Sequence, residues 1–162
     1  MRVYLPATLP LLAQWLVAGQ APPGIATAVT PGLREWYREG DLEELEYAAQ
    51  RAAARLSLEA LAADPSLPRR RVVLAADVPD ADVAVLDDPR AAVATGGPAP
   101  FAAWASALVD AEDADVVISA AATALGAAAA GDDDAAFAVD EAEATELSWF
   151  AVQEIAHLLE IG

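Results

Sequence analysis

The carboxylates between residues 132 and 146 are the densest group of side chains in this sequence that could do chemistry. Carboxylate oxygens are the ligands that hard cations prefer, and paired carboxylates can exchange protons with a substrate. The segment lacks the glycine and the alternating spacing of an EF-hand loop. We therefore expect a solvated acidic turn, with a divalent-cation-dependent or carboxylate-based enzyme as the alternative. The candidate metal ligands are Asp132, Asp134, Asp140 and Glu143.

Other groups that commonly take part in catalysis are scarce. The chain has no cysteine and one histidine, His157, which lies three residues from both Glu154 and Glu160. A structural zinc site therefore lacks its usual ligands, and no G-x-S-x-G elbow presents a serine nucleophile. The Gly96–Gly97 pair is not followed by lysine, so neither a Walker loop nor a dinucleotide fingerprint is present. We expect no cofactor, and a non-enzymatic protein is favoured over an enzyme.

Charge is distributed unevenly along the chain. The formal net charge is −17, and all nine basic residues are arginines within residues 1–90. Residues 91–162 contain 13 acidic and no basic side chains. Because nucleic-acid affinity comes largely from Lys and Arg at phosphates, direct nucleic-acid binding is disfavoured. The acidity is interpreted as an aid to solubility, and the alternative is an acidic surface that mimics nucleic acid for a basic partner.

Arg69, Arg70 and Arg71 form the one cationic cluster of the sequence. Such a cluster can bind an anion or an acidic partner segment, or it can pair with carboxylates of its own chain. The second interpretation is favoured because the chain has 26 acidic residues and only 9 arginines. All three residues are nevertheless kept as candidate interaction residues.

An unusually apolar helix is predicted near the N-terminus. Thr8 is suited to the N-cap position, and the helix is expected from Leu9 to Ala18 with one strongly polar side chain. A helix that is apolar nearly all round is usually buried on two sides. We therefore predict a protein-interaction domain that self-associates through this helix, with Leu11 and Trp15 as contact residues.

The rest of the chain is predicted to alternate between strands and helices. Asp41 is the expected N-cap of the longest helix. The ten aromatic residues of the whole chain are expected to anchor the core. The segment 147–159 is interpreted as a strand and a helix, and one continuous amphipathic helix is the alternative. The predicted buried stripe of the longest helix comprises Leu42, Leu45, Ala49, Ala52 and Leu56. Strands are predicted at 2–5, 25–30, 72–78, 91–95, 103–110 and 147–152, and further helices at 31–37, 42–62, 113–130, 135–143 and 153–159.

These elements predict a single α+β domain over residues 1–162, in which helices cover a mixed β-sheet. The first strand–helix–strand unit favours a parallel pair with a right-handed crossover. A ferredoxin-like split βαβ arrangement is one form that such a sheet can take. Prolines interrupt the apolar run of residues 1–21, so it is not interpreted as a secretory signal, and a cytoplasmic location is predicted. The apolar run 116–130 is too short to span a membrane, and no membrane partner is expected.

Five segments of the sequence resemble a family of short, uncharacterised acidic proteins of high-GC Gram-positive bacteria, a domain of unknown function. The resemblance covers nearly the whole chain, which implies one domain without an appended module. It implies no activity, substrate or site residue. The segments are 2–9 (RVYLPATL), 29–37 (VTPGLREWY), 45–49 (LEYAA), 75–79 (AADVP) and 138–143 (AVDEAE).

Overall fold

A seven-stranded antiparallel sheet lies at the centre of the molecule. The computed structural model describes residues 1–87 and 90–161. Its strands are β1 (Arg2–Ala7), β2 (Gln20–Ala21), β3 (Ile25–Thr27), β4 (Val72–Asp77), β5 (Val83–Val85), β6 (Ala92–Thr95), β7 (Ala99–Pro100), β8 (Trp104–Val109) and β9 (Ser148–Ala151). The large sheet has the order β5-β6-β3-β1-β4-β8-β9, while β2 and β7 form a separate two-stranded sheet. Each of these pairings is antiparallel.

Helices cover both faces of the large sheet. The described helices are α1 (Leu9–Ala18), α2 (Pro31–Trp36), α3 (Leu42–Ala63), α4 (Asp115–Ala129), α5 (Asp133–Ala144) and α6 (Ile155–Ile161). One face packs against α1 and α6, and the other packs against α2 and α3. The α4–α5 pair packs on the C-terminal half of α3. Among the described helices, none combines the length and the apolar character needed to cross a membrane.

Strand alternation divides the core between the two faces. In β1, the side chains of Val3 and Leu5 pack toward α1 and α6, whereas the side chain of Tyr4 between them packs toward α3. In β4, Leu74 and Val73 are divided between the faces in the same way. This is the period of two that a strand imposes on its side chains. The side chains of β4 and β8 that are in register with Tyr4 of β1 therefore also lie on the α3 side of the sheet.

Two buried hydroxyls fix α3 on the sheet. Thr27 Oγ1 donates to the carbonyl of Ala49 at 2.6 Å. Ser57 Oγ donates to the carbonyl of Ala7 at 2.7 Å and accepts from the N–H of Val72 at 3.0 Å. Buried backbone groups at the ends of β1 and β4 are thereby satisfied by one side chain. The helix is held at two points along its length, which positions the residues that face the sheet.

The predictions for α1 and α3 are confirmed in their boundaries but not fully in their packing. Thr8 caps α1, and α1 spans Leu9–Ala18 as predicted. Asp41 caps α3 by accepting from the N–H of Glu44 at 2.9 Å. The predicted stripe of α3 is confirmed at Leu45 and Ala49. It is wrong at Leu42, which is exposed, and at Ala52 and Leu56, which are only half-buried. Beyond Ala49 the buried stripe lies one residue further along the sequence than predicted. The buried residues of α3 are Leu45, Ala49, Ala53, Ala54, Ser57, Leu58 and Leu61.

The α+β class is confirmed, but the parallel pair predicted for the first unit is wrong. β1 pairs antiparallel with β3 on one side and with β4 on the other. The crossover rule assumes one connection that returns to the same sheet. Here residues 19–24 include β2, which belongs to the second sheet, and the chain re-enters the large sheet in the opposite direction. A ferredoxin-like arrangement is not confirmed.

The later elements follow the prediction with smaller differences. The strand and helix favoured for 147–159 are confirmed as β9 and α6, with a short 3₁₀ turn between them. The segment 79–100 contains β5 and β7 in addition to the predicted strand β6. The sequence does not predict β5, because this strand has only three residues and lies within a segment that is rich in proline. Strand β3 ends at Thr27 rather than at residue 30, since Thr30 is the N-cap of α2.

Candidate functional site

A cleft of about 920 Å³ lies on the face of the sheet that α2 and α3 cover. Its floor is formed by side chains of β1, β4, β8 and β9, and its walls by α2, α3 and the segment 143–147. Ligand pockets usually have volumes of about 300–1,000 Å³, so this cleft is among the larger ones. We call it the arginine–aromatic cleft after ten of its lining residues. They are Arg2, Tyr4, Trp36, Tyr37, Tyr47, Arg51, Arg55, Arg71, Arg90 and Trp149.

The register of the sheet places the floor residues side by side. Tyr4 of β1 is opposite Ala75 of β4, and Ala75 is opposite Ser106 of β8. Leu108 of β8 is opposite Trp149 of β9. Residues directly opposite each other in an antiparallel pair present their side chains on the same face. The small side chain of Ala75 leaves room between the larger Tyr4 and Leu108.

Tyr4 lies at the buried centre of the floor. Burial raises the pKa of its phenol, although its hydrogen bond with Gln50 acts in the opposite direction. Tyr4 therefore remains a neutral hydroxyl at physiological pH and cannot serve as a base. Its role is to provide an apolar ring and one polar atom.

An exposed ion pair lies at the edge of the floor. Arg2 Nε donates to Asp77 Oδ1 at 2.7 Å, and Arg2 Nη2 donates to Asp77 Oδ2 at 3.0 Å. These hydrogen bonds raise the pKa of Arg2 and lower the pKa of Asp77. Both groups therefore stay charged at neutral pH. Arg2 contributes a fixed guanidinium to the cleft, but its charge is already balanced.

One wall of the cleft consists of side chains one helical turn apart on α3. Tyr47, Arg51 and Arg55 recur at a spacing of four residues, which puts them on one side of the helix. The Arg51 guanidinium lies over the Tyr47 ring at 5.8 Å from its centroid. Arg55 Nη1 donates to Glu143 Oε1 of α5 at 2.9 Å, while its Nε is buried without a hydrogen-bond partner among the described residues. Arg51 has no ion-pair partner within the described residues, so its N–H groups remain available to a partner molecule.

The opposite wall comes from α2 and the residue that precedes β6 by two positions. The Arg90 guanidinium stacks on the Trp36 ring at 3.8 Å from its centroid. Stacking of this kind holds a guanidinium plane in place while leaving its edge free to donate. Trp36 is 62 % exposed, and Tyr37 beside it is also exposed. This wall therefore presents an ordered pair of planar groups to solvent.

The prediction that the ten aromatic residues anchor the core is wrong for most of them. Six of the ten are exposed, and four of those six line the cleft. Trp104 and Tyr4 are buried as expected. The buried indole N–H of Trp104 is satisfied by donating to the carbonyl of Ala99 at 3.0 Å. The exposed cleft aromatics are Trp36, Tyr37, Tyr47 and Trp149, and the other two exposed rings are Phe101 and Phe137.

The acidic residues between 132 and 146 do not converge on one point. Asp132 is the N-cap of α5 and accepts from the N–H of Ala135 at 2.9 Å. Asp134 and Asp140 are exposed on α5. Glu143 points instead to the cleft, where it is paired with Arg55. Within residues 1–87 and 90–161, no group of three or more acidic or histidine side chains is placed to hold a metal ion.

The arginine cluster of residues 69–71 makes its contacts within the chain. Arg69 donates to the carbonyls of Leu61, Asp64 and Leu67 at 2.6 to 2.9 Å, which satisfies carbonyl groups at the C-terminus of α3. Arg70 Nε donates to the carbonyl of Asp110 at 2.8 Å. These two guanidinium groups are therefore already engaged in contacts that stabilise the fold.

Arg71 is the most deeply buried charge in the cleft wall. Its side chain is 3 % exposed, and it forms a salt bridge with the fully buried Asp110 at 2.8 Å. Its Nη2 also donates to the carbonyl of Thr145 at 2.9 Å. Arg71 thereby attaches the segment that leads into β9 to the centre of the sheet. It positions the cleft wall and does not present a free charge.

The remaining sequence candidates lie on the other face of the sheet. Leu11 is exposed on α1, Trp15 is half-buried against the core, and Val17 is 91 % exposed. His157 is exposed on α6. The cleft therefore receives neither the histidine nor the helix that the sequence had suggested as a contact surface.

The antiparallel seven-stranded sheet between two helical layers, with an arginine–aromatic cleft on one face, defines an α+β protein. The chain belongs to the Family of unknown function (DUF6912), whose model matches residues 1–159. The resemblance to a domain of unknown function is thereby confirmed. No curated protein and no solved structure is significantly similar to the chain.

Proposed function

We propose that this protein is a non-enzymatic protein-interaction domain and that a partner docks in the arginine–aromatic cleft. The observation that carries this proposal is the gathering of four exposed aromatic rings and five arginines around one cleft. Trp, Tyr and Arg are the residues in which binding hot spots are enriched. Exposed large aromatic rings cost free energy in a free monomer, and a partner that covers them removes that cost.

The charges of the cleft support binding of a peptide segment rather than of a strong anion. Five arginines and four glutamates line the cleft, so it carries little net charge within a strongly acidic chain. Arg2, Arg55 and Arg71 are already neutralised by carboxylates of the chain. A mixed set of donors and acceptors between aromatic rings suits the backbone and side chains of a polypeptide.

The polar groups of the cleft are arranged for binding rather than for proton transfer. Glu143 is held by Arg55, and Glu146 accepts from the Tyr47 hydroxyl at 3.2 Å. Tyr4 has a raised pKa and remains protonated. The candidate acids of the alternative enzyme are spread between a helix cap, a solvent-exposed helix face and an ion pair.

A displayed library of random peptides tests the proposal. Peptides selected on the immobilised protein should bind at least about tenfold more weakly to Trp149→Ala and to Trp36→Ala, since truncating a hot spot costs at least about 2 kcal/mol. The matched control is Phe137→Ala, because Phe137 is 65 % exposed and Trp149 is 63 % exposed. Selected peptides that bind both cleft variants as tightly as the unaltered protein would place the interaction surface elsewhere.

Self-association through α1 is a second candidate, supported by the exposure of Leu11 and Val17 beside the half-buried Trp15. Residues 1–90 carry all nine basic side chains, so two copies meeting there repel each other less than two C-terminal halves would. Light scattering at about 50 µM should show a dimer that Val17→Asp converts to a monomer. A monomer at that concentration would count against this second candidate.

A further inference from the structure

Strand β9 lies at one end of the large sheet and has a neighbour on one side only, β8. Its four residues include neither proline nor lysine, which are common on edges that must not pair. Trp149, at the second position of the strand, is 63 % exposed and lines the arginine–aromatic cleft. The free edge of the sheet and the proposed docking cleft are therefore next to each other.

The backbone of β9 presents hydrogen-bonding groups to this free edge. The N–H of Ala151 donates to Glu154 Oε1 at 3.2 Å, so it points away from β8. Backbone groups alternate in direction along a strand, and those of Trp149 therefore point to the free edge as well. Phe150 and Ser148 are the residues whose groups face β8. The edge thus offers the N–H and C=O of Trp149, with one further N–H held by a glutamate that a partner can displace.

Charge decides which kind of segment fits this edge. Glu146 precedes β9, Glu154 follows it, and neither has an ion-pair partner among the described residues. Residues 91–162 as a whole contain 13 acidic and no basic side chains. Antiparallel pairing of β9 with a second copy would bring Glu146 of each copy close to Glu154 of the other. Such like-charge pairs are destabilising, whereas a basic segment finds complementary charge at both ends of the strand.

From this combination we infer that the partner contributes an extended, basic segment that adds to the sheet as a strand beside β9. The inference rests on the proposed docking function and names the class of partner and its binding mode. Main-chain hydrogen bonds to Trp149 align the segment, and alternate side chains of the segment contact the Trp149 ring and the cleft. Lys or Arg side chains of the segment pair with Glu146 and Glu154.

Short synthetic peptides are the probes for this inference. In the first peptide, Lys alternates with Val and Thr; in the second, Glu replaces each Lys; the third is the first with alternate amides N-methylated. Binding is measured from the change in intrinsic tryptophan fluorescence and from the amide resonances of residues 148–151. We expect the basic peptide to bind with a Kd of about 100 µM and to lose at least about fivefold in affinity in high salt. The acidic and the N-methylated peptides should bind at least about tenfold more weakly.

Two protein variants separate edge addition from binding in the cleft. Ala151→Pro blocks the edge; it is compatible with the fold because φ of Ala151 is −67° and its N–H does not bond to β8. We expect it to weaken the basic peptide at least about tenfold. Glu154→Lys should weaken the same peptide without introducing a proline, and it provides the test if Ala151→Pro does not fold. Phe137→Ala is the control that should leave binding unchanged.

Each contrary result has a distinct meaning. Equal binding by Ala151→Pro, by Glu154→Lys and by the N-methylated peptide would overturn edge addition, while loss in Trp149→Ala would still support docking in the cleft. Tighter binding of the acidic peptide, or no binding of the basic one at about 1 mM, would overturn the inference of a basic segment. A dimer that Ala151→Pro dissociates would identify a second copy of this chain as the occupant and would also overturn it. The display experiment above judges the docking cleft independently.

Discussion

Replacing Asp110 by asparagine tests the buried ion pair that holds one wall of the cleft. Asp110 accepts three hydrogen bonds from Arg71: from the backbone N–H at 2.7 Å, from Nε at 2.8 Å and from Nη2 at 2.8 Å. Asparagine preserves the shape of the side chain, but it removes the charge and replaces one acceptor oxygen by a donor. The guanidinium of Arg71 is then left buried without a counter-charge.

The burial of the pair sets the size of the effect. Arg71 is 3 % exposed and Asp110 is 0 % exposed, so solvent cannot screen the charge that is left behind. Removing one partner of a buried ion pair costs about 3–5 kcal/mol. Asparagine keeps one acceptor, and we therefore expect the lower end of that range, about 3 kcal/mol. For a chain of this size each kcal/mol lowers Tm by about 2–4 °C, which predicts a decrease of about 6–12 °C.

Urea unfolding monitored by tryptophan fluorescence measures this change in the free energy of unfolding. The control is Asp134→Asn, which removes an exposed carboxylate and should change the stability by less than about 0.5 kcal/mol. Replacing both partners, as Arg71→Met with Asp110→Leu, should recover much of the loss because no uncompensated charge remains. A loss below about 1 kcal/mol in Asp110→Asn, with the slope of unfolding unchanged, would refute the assigned role of the pair.

Four further substitutions test other parts of the structure. Ser57→Ala leaves the N–H of the first β4 residue buried without its acceptor, and should cost about 1–3 kcal/mol in urea unfolding. Gly19→Ala, at φ 74°, should destabilise by about 1 kcal/mol, whereas Gly126→Ala in the interior of α4, where a Cβ meets nothing within 4 Å, should stabilise by about 0.5–1 kcal/mol. An equal sign for the two glycines would contradict the backbone argument. Asp77→Asn should lower the stability at neutral pH. Because the pKa of Asp77 in the folded protein is lowered from its ordinary value of 3.8, the difference between the variant and the unaltered protein should vanish as the pH falls below 3.8 and then below the folded pKa. A difference that persists in acid would count against the pair with Arg2.

The local signals of the sequence predicted most elements of the fold. The Thr8 and Asp41 caps, with the apolar residues that follow them, placed α1 and α3 within one residue of their boundaries. The side-by-side position of Trp149 and Phe150 favoured a strand, and the strand sends those two rings to opposite faces of the sheet. Strand direction could not be predicted in this way. It depends on the pairing of β2 with β7, whose partners lie about 80 residues apart and carry no local signal.

The sequence does not predict the cleft, because the lining residues are distributed over seven elements and the loops between them, and each residue has an ordinary explanation by itself. Tyr47 and Arg51 could have been recognised, since a spacing of four residues on a helix brings their side chains together. Arg90 and Trp36 are separated by more than 50 residues, and only the folded sheet stacks them. Assigning all aromatic residues to the core assumed that they are needed there. The core is instead filled largely by alanine, valine and leucine, which leaves aromatic rings for the surface.

The two halves of the chain, which differ in charge, are joined by ion pairs in the folded protein. Arg55 and Arg71, from the half that carries every arginine, pair with Glu143 and Asp110 from the half that carries none. These pairs lie around the cleft, so its walls are held by contacts between the two halves of the chain. The arginines used in this way no longer offset the remaining carboxylates of residues 91–162, including Glu154 beside the free edge of β9. Two of those carboxylates, Glu146 and Glu154, flank β9, which is where the extended basic segment of the partner would bind.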